Sequence, residues 1–249
     1  SATAEIASTG IKYLGVASID GASTPFAGNI SRFQFFNLAL SAAEVKAFSN
    51  GAAIPYSLLG ASQTEKMPNQ VDRDFSGASA WADVDLAAGS GAYDETGDLT
   101  ITAGAAGSGD YCTLAVLSAP TTIGKRYRMT YDYTVAVAGA WTIKDFTGVQ
   151  TIGTVSATAT QASIEWTATT PGGFRIVAAA NDVSGTFDNF TLTQIGCVLN
   201  LEPSGIGHKQ WIDNSGNNLT GEISGAIATN LPANHREKYI DLLVTGNTS

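Results

Sequence analysis

The residues of this chain that could do chemistry are few: two histidines, two cysteines, four tryptophans and a scatter of 22 acidic side chains. His208 and His235 lie in polar, loop-like stretches, and neither accompanies a nucleophile motif such as G-x-S-x-G. Hydrolysis of a glycosidic bond needs two facing carboxylates, and no stretch singles out such a pair. The sequence therefore reads as a non-enzyme. Cys112 sits in the strand-like run YCTLAVL, and Cys197 follows another, FTLTQIG. Their spacing fits no zinc motif. Two buried thiols and a single disulfide both remain open, the second implying an oxidising compartment. Aromatic rings could stack on a flat apolar ligand face such as that of a sugar, with polar groups nearby for hydroxyls. The candidates are Trp81, Trp141, Trp166 and Tyr133. Trp141 follows the turn AVAGA and is the ring expected to be most exposed. Trp166 shares a strand face with Ile164, while Glu165 takes the other face, which is a core pattern. Asp213-Asn214-Ser215-Gly216-Asn217-Asn218 superficially resembles a calcium loop. It has Asn218 where an EF-hand has Gly and Ser224 where one has Glu, so a plain turn is expected.

The elements that must position these residues are mostly strands. Charged residues are only 14% of the chain and hydrophobic ones 44%, which describes a folded protein with sheet-like surfaces. The net charge of −9 and the lack of a Lys/Arg cluster beyond Lys125-Arg126-Tyr127-Arg128 argue against nucleic acid and against anionic membrane surfaces. No apolar run is long enough to span a membrane, and SATAEIASTG has no signal-peptide pattern. Residues 1–56 read as strand, strand, strand, helix. Ser41-Ala42-Ala43-Glu44 is a capping box, with Leu40 and Val45 at the staple positions and Asn50-Gly51 as the stop. Residues 57–70 are polar and read as a linker. Residues 71–195 hold a series of short strands: DLTITAG, YCTLAVLSA, YRMTYDYTVAV, AWTIKDF, SIEWTAT, GFRIVAAA and TFDNFTLTQI. Turn residues separate them at intervals that suit a sandwich or barrel. Tyr127, Met129, Tyr131 and Tyr133 alternate with Arg128, Thr130 and Asp132, giving one strand a large apolar face. Residues 196–249 are rich in Gly and Asn and end on an apolar strand-like run, Tyr239 to Val244, which needs a partner strand.

Two stretches carry family resemblances. FAGNISRFQFFNLALSAAEVKAFSNGA resembles the closing part of laminin-G/concanavalin-like lectin domains, with Gly28, Ile30, Asn37, Leu40, Ser41, Glu44 and Val45 filling the signature. It covers about the last third of such a domain. Residues 71–195 resemble carbohydrate-binding modules of the jelly-roll type. Asp72, Asp74, Phe75, Gly77 and Trp81 match the opening motif, and Phe187, Asp188, Asn189, Phe190 and Leu192 the closing one. The resemblance implies that Trp81 belongs to the core. It also implies a structural calcium as a possible cofactor, with Asp74 and Asp188 the nearest ligand candidates. QWIDNSGNNLTGEISGA and TNLPANHREKY resemble segments of phage tail proteins.

Together these readings give an all-β chain of jelly-roll β-sandwich modules with one short helix near residues 42–49. The expected organisation is a lectin-like part at 1–56, a linker at 57–70, a jelly-roll module at 71–195 and a small connector at 196–249. The resemblances imply a structural or adhesive component of a phage virion appendage. It would be a homotrimer beside other virion proteins, located on the particle and able to bind host-surface glycans. Two alternatives are a binding module of a secreted bacterial polysaccharide-degrading protein and a capsid decoration protein without a ligand. Exposed aromatics near Trp141 would favour adhesion; a smooth Thr/Ser surface would favour a purely structural role.

Overall fold

Alternation of apolar and polar residues with period two dominates residues 92–194, and it folds as the period requires. The computed structural model describes residues 30–62, 64–86, 91–106, 108–207 and 209–223. In chain order the elements are β1 (Phe33–Phe36), α1 (Ala42–Ser49), a 3₁₀ turn (Tyr56–Leu58), α2 (Val71–Asp74), β2 (Trp81–Asp83), β3 (Ala92–Asp94), β4 (Leu99–Thr102) and β5 (Tyr111–Leu114). There follow β6 (Arg126–Val137), β7 (Trp141–Asp145), β8 (Thr151–Val155), β9 (Ala159–Thr167), β10 (Phe174–Ala178), β11 (Ser184–Gln194), β12 (Cys197–Ile206), β13 (Gln210–Asp213) and β14 (Gly221–Glu222). The protein is an all-β sandwich. Two five-stranded antiparallel sheets form it, in the orders β2-β5-β10-β7-β8 and β3-β4-β11-β6-β9. Only β3–β4 and β7–β8 follow one another within a sheet; every other step from β2 to β11 crosses between layers. The expected single short helix is joined by a second, the four-residue α2.

The chain divides into two units. The larger comprises Phe35–Leu199 and Ser215–Asn218, and the smaller includes Asn200–Asn214. In the larger unit the core lies between the sheets. On β6, Tyr127, Met129, Tyr131 and Tyr133 are buried as the alternation requires. From the facing sheet Leu114, Trp141, Ile143, Phe174 and Ile176 meet them. Rings bridge the layers, Trp81 against Phe190 at 5.4 Å and Trp166 against Phe174 at 5.8 Å. Each such buried side chain contributes about 1.5–3 kcal/mol relative to exposure.

Strand β11 departs from simple alternation. Its register with β6 shifts between Asp188 and Thr191, a β-bulge. Asn189 there has φ +53°, a left-handed conformation that Asn tolerates. The extra residue lets both Phe187 and Phe190 turn inward, where they stack at 6.0 Å. Phe75, which ends α2, is a bulky residue at φ +49°, held there by burial against Phe190.

Around α1 the capping box forms as read. Ser41 N–H donates to Glu44 Oε2 at 2.8 Å, and Glu44 N–H donates to Ser41 Oγ at 3.3 Å. Gly51, past the last turn, has φ +95°. Val45, at the staple position, stays half exposed, whereas Phe36 stacks on Phe48 at 5.6 Å in a satellite cluster with Ile54, Leu58 and Cys197. In the segment 57–70, read as a linker, Leu58, Ala61 and Met67 are buried. Lys66 N–H donates to Leu192 O at 2.7 Å, and Leu192 N–H donates to Glu65 Oε1 at 2.8 Å.

In the smaller unit, Leu201 and Ile206 of β12 pair with Asp213 and Trp211 of β13, and Trp211 pairs onward with Gly221 of β14. The expected strands before residue 30, the run Tyr239–Val244 and both histidines lie outside the described residues. No described helix is long and apolar enough to cross a membrane.

Candidate functional site

Each predicted aromatic site residue is in the core. Trp141, the ring expected outside, is 0% exposed because it is in phase with Ile143 on β7 and that face turns inward. Tyr133 is in phase with Tyr131 and packs on Phe187 at 4.6 Å. Trp166 packs on Tyr127 and Phe174. None offers a free ring face, which corrects their reading as stacking residues. The Tyr133 hydroxyl and the Trp141 indole N–H are buried close to each other, short of good hydrogen-bond geometry. Burial raises the pKa of that hydroxyl, which the nearby indole opposes in part. Trp81 is buried as the resemblance implied, its Nε1–H donating to Asp72 O at 2.9 Å.

The carboxylates read as calcium ligands are engaged by their own neighbours. Asp74 accepts from the Ser76 N–H and hydroxyl and from Gln70 Nε2, and these bonds lower its pKa. Asp188 accepts from Asn189 N–H at 2.7 Å and from Asn189 Nδ2 at 3.1 Å. No group of three or more His, Cys, Asp or Glu that could hold a metal occurs among the described residues. The two carboxylates are arranged as self-satisfied turns, which does not fit the oxygen cage a calcium ion needs.

Both cysteines are buried, and burial pushes the Cys112 thiol up, away from reactive thiolate.

The two outer sheet faces differ in chemistry. On the β3-β4-β11-β6-β9 face, hydroxyls pair with each other across strands: Thr100 with Thr186 at 3.0 Å, Thr102 with Ser184 at 2.7 Å and Thr130 with Thr191 at 2.6 Å. At its far side Glu165 takes Arg126 at 2.9 Å and Arg128 at 2.7 Å. On this face those hydroxyls and the Glu165 carboxylate are engaged by their cross-strand neighbours.

The β2-β5-β10-β7-β8 face is the candidate site. Register places two rows across it. One runs Ala82, Thr113, Arg175, Lys144 and Thr151; the other runs Tyr111, Val177, Thr142 and Thr154. These side chains are half-buried or exposed, while the alternating residues of β5, β10 and β7 fill the core. Arg175 organises the centre. Its guanidinium lies over the Tyr111 ring at 4.7 Å and near the Phe146 ring at 5.8 Å. Its Nε–H donates to Phe146 O. Gly148, at φ +78° in the β7–β8 turn, leaves room for the guanidinium, since a Cβ there would stand 3.0 Å from its Nη1. An aromatic ring, a held guanidinium, an ammonium and several hydroxyls thus share one open surface. Such a surface can stack on a sugar ring and bond its hydroxyls without any catalytic group.

Sequence reasoning missed Tyr111. The signal was present: in YCTLAVL, Tyr111 is out of phase with Cys112 and Leu114, so it must face away from the core they enter.

No protein-family model and no curated protein sequence matches the chain. Solved structures do show likeness. The CBM22-1 xylan-binding domain of Paenibacillus barcinonensis Xyn10C is 10% identical over 50% of this chain and 92% of its own, with a TM-score of 0.35. The N-terminal cellulose-binding domain of Cellulomonas fimi β-1,4-glucanase C is 15% identical over 49% and 89%, with a TM-score of 0.33. The CBM22-1–GH10 portion of Clostridium thermocellum xylanase 10B, complexed with xylohexaose, is 13% identical over 53% and 29%, with a TM-score of 0.37.

Proposed function

We propose that the larger unit is a non-catalytic polysaccharide-binding module whose ligand lies along the outer face of the β2-β5-β10-β7-β8 sheet. The carrying observation is the Tyr111–Arg175–Phe146 assembly on that face, beside Lys144, Thr113 and Thr142. Binding would come from ring stacking and hydroxyl hydrogen bonds on a rigid sheet, with little ordering cost. The reading matches a binding module of a secreted polysaccharide-degrading protein. Display on a phage virion appendage, as a trimer that multiplies weak sites by avidity, is a second setting for the same surface. Its support is the sequence resemblance of the flanking segments, and the last of these lies largely outside the described residues.

The test is a panel of soluble polysaccharides in affinity electrophoresis, run with Tyr111→Ala and, on the opposite face, Thr191→Val. Retention should weaken about tenfold or more with Tyr111→Ala, as loss of one stacked ring contributes roughly 1–2 kcal/mol. Thr191→Val should retain like the parent. Equal retention of Tyr111→Ala, or failure of every polysaccharide to bind, contradicts the proposal.

A further inference from the structure

Arg175 and Lys144 stand directly opposite one another on neighbouring antiparallel strands, β10 and β7. Like charges in such a cross-strand pair repel and destabilise the sheet. The chain has acidic residues in plenty, 22 against 13 basic ones, with which to relieve the repulsion. Yet among the described residues the salt bridges formed both run to Glu165, on the other sheet. Flanking the pair in its row are Thr113 and Thr151, which carry no charge.

The Arg175 side chain is also held in place. Phe146 O fixes its Nε–H, and the Tyr111 and Phe146 rings flank the guanidinium, for which Gly148 leaves room. A guanidinium fixed in this way has already given up most of its rotamer freedom. Its two terminal nitrogens keep the planar fork that suits a carboxylate or sulfate. Lys144 adds a second positive charge beside that fork.

We infer that the polysaccharide bound on this face is an acidic one, whose carboxylate or sulfate group lies between Arg175 and Lys144; the inference rests on the glycan reading above. The net charge of −9 opposes approach of such a polymer at long range. At physiological salt that field is screened beyond about 8 Å, so the local pair decides the contact. Tyr111 then has two roles, holding the guanidinium on one ring face and stacking on the sugar with the other.

The test compares polymers that share a backbone and differ in charge: hydroxyethylcellulose with carboxymethylcellulose, and dextran with dextran sulfate. The expected result is that at least one charged member is retained about tenfold more tightly than its neutral partner, the worth of one charge-assisted bond pair. That preference should collapse as salt is raised from about 0.05 to 0.5 M. Lys144→Gln should remove most of it. Arg175→Lys, which keeps the charge and loses the fork, should weaken it too, with circular dichroism confirming that both variants are folded. Equal retention of charged and neutral members overturns the acidic-ligand inference and leaves the glycan reading standing. Preference for the charged members that is unchanged in Lys144→Gln places the anion elsewhere and also overturns it. Retention of no polymer at all sinks both readings.

Discussion

Asp188 shows how a single residue can be read from its surroundings. Burial raises its pKa, the Asn189 N–H lowers it, and the carboxylates of Asp132, Asp98 and Asp74 raise it further. A raised folded pKa means that the native state favours the protonated form. The stability from this group is therefore full below the unfolded-state value near 3.9 and is lost as pH rises through the folded value. At neutral pH the ionised carboxylate is a cost. Asp188→Asn should raise the thermal midpoint at pH 7 and make a smaller difference near pH 3, since the Asn amide oxygen can still accept from Asn189. Differential scanning calorimetry at the two pH values checks this. A drop in the midpoint at pH 7 would instead show that the charge is used, as a calcium ligand would be. Residue phase also explains what could be read in the sequence about the site. Trp141, Tyr133 and Trp166 stand out by ring type, but each is in phase with the apolar set of its own strand. Tyr111 is smaller and out of phase, and phase decides which face a side chain takes.

At the scale of elements, local chemistry was legible and long-range register was not. The Ser41–Glu44 box and the Gly51 stop involve neighbours in sequence, so α1 could be placed to the residue. The β6 alternation was equally plain. The bulge in β11 was hidden. FDNFTLTQ contains a break in alternation after Phe187, but only the partner strand reveals that Asn189 is the inserted residue. The short α2 was missed because four residues carry no periodicity. Close packing between β11 and β6 gives a test of the register. Gly185 lies against the Tyr133 ring, and a Cβ added there would stand 2.4 Å from its Cε2 and from its hydroxyl oxygen. Gly185→Ala should cost about 1–3 kcal/mol or more in urea unfolding, the range for overpacking a tight core. Combining it with Tyr133→Val should recover part of the loss, because the clashing ring is then gone. No loss in the single variant would contradict the register described for these strands.

For the whole molecule, low charge and regular alternation point to an all-β sandwich or barrel, and the resemblance of residues 71–195 to jelly-roll modules selects the sandwich. The division of labour between its faces was not legible. That division depends on which strands are neighbours: Thr100, Thr130, Thr186 and Thr191 become a self-satisfied surface only once β4, β11 and β6 lie side by side. Likewise Arg175 and Lys144, 31 positions apart by number, meet only through the pairing of β10 with β7. The sequence offered an exposed aromatic and a smooth Thr/Ser surface as rival signs of adhesion and of pure structure. The structure buries Trp141, where the exposed ring is expected, and sets the half-buried Tyr111 on the face opposite the paired hydroxyls. The most direct measurement of the central claim is amide chemical-shift mapping of the ¹⁵N-labelled protein during titration with oligosaccharides of the polymer it retains best. The account predicts perturbations gathered at Tyr111, Thr113, Thr142, Lys144 and Val177. Perturbations gathered instead at Thr100, Thr130, Thr186 and Thr191 would contradict it.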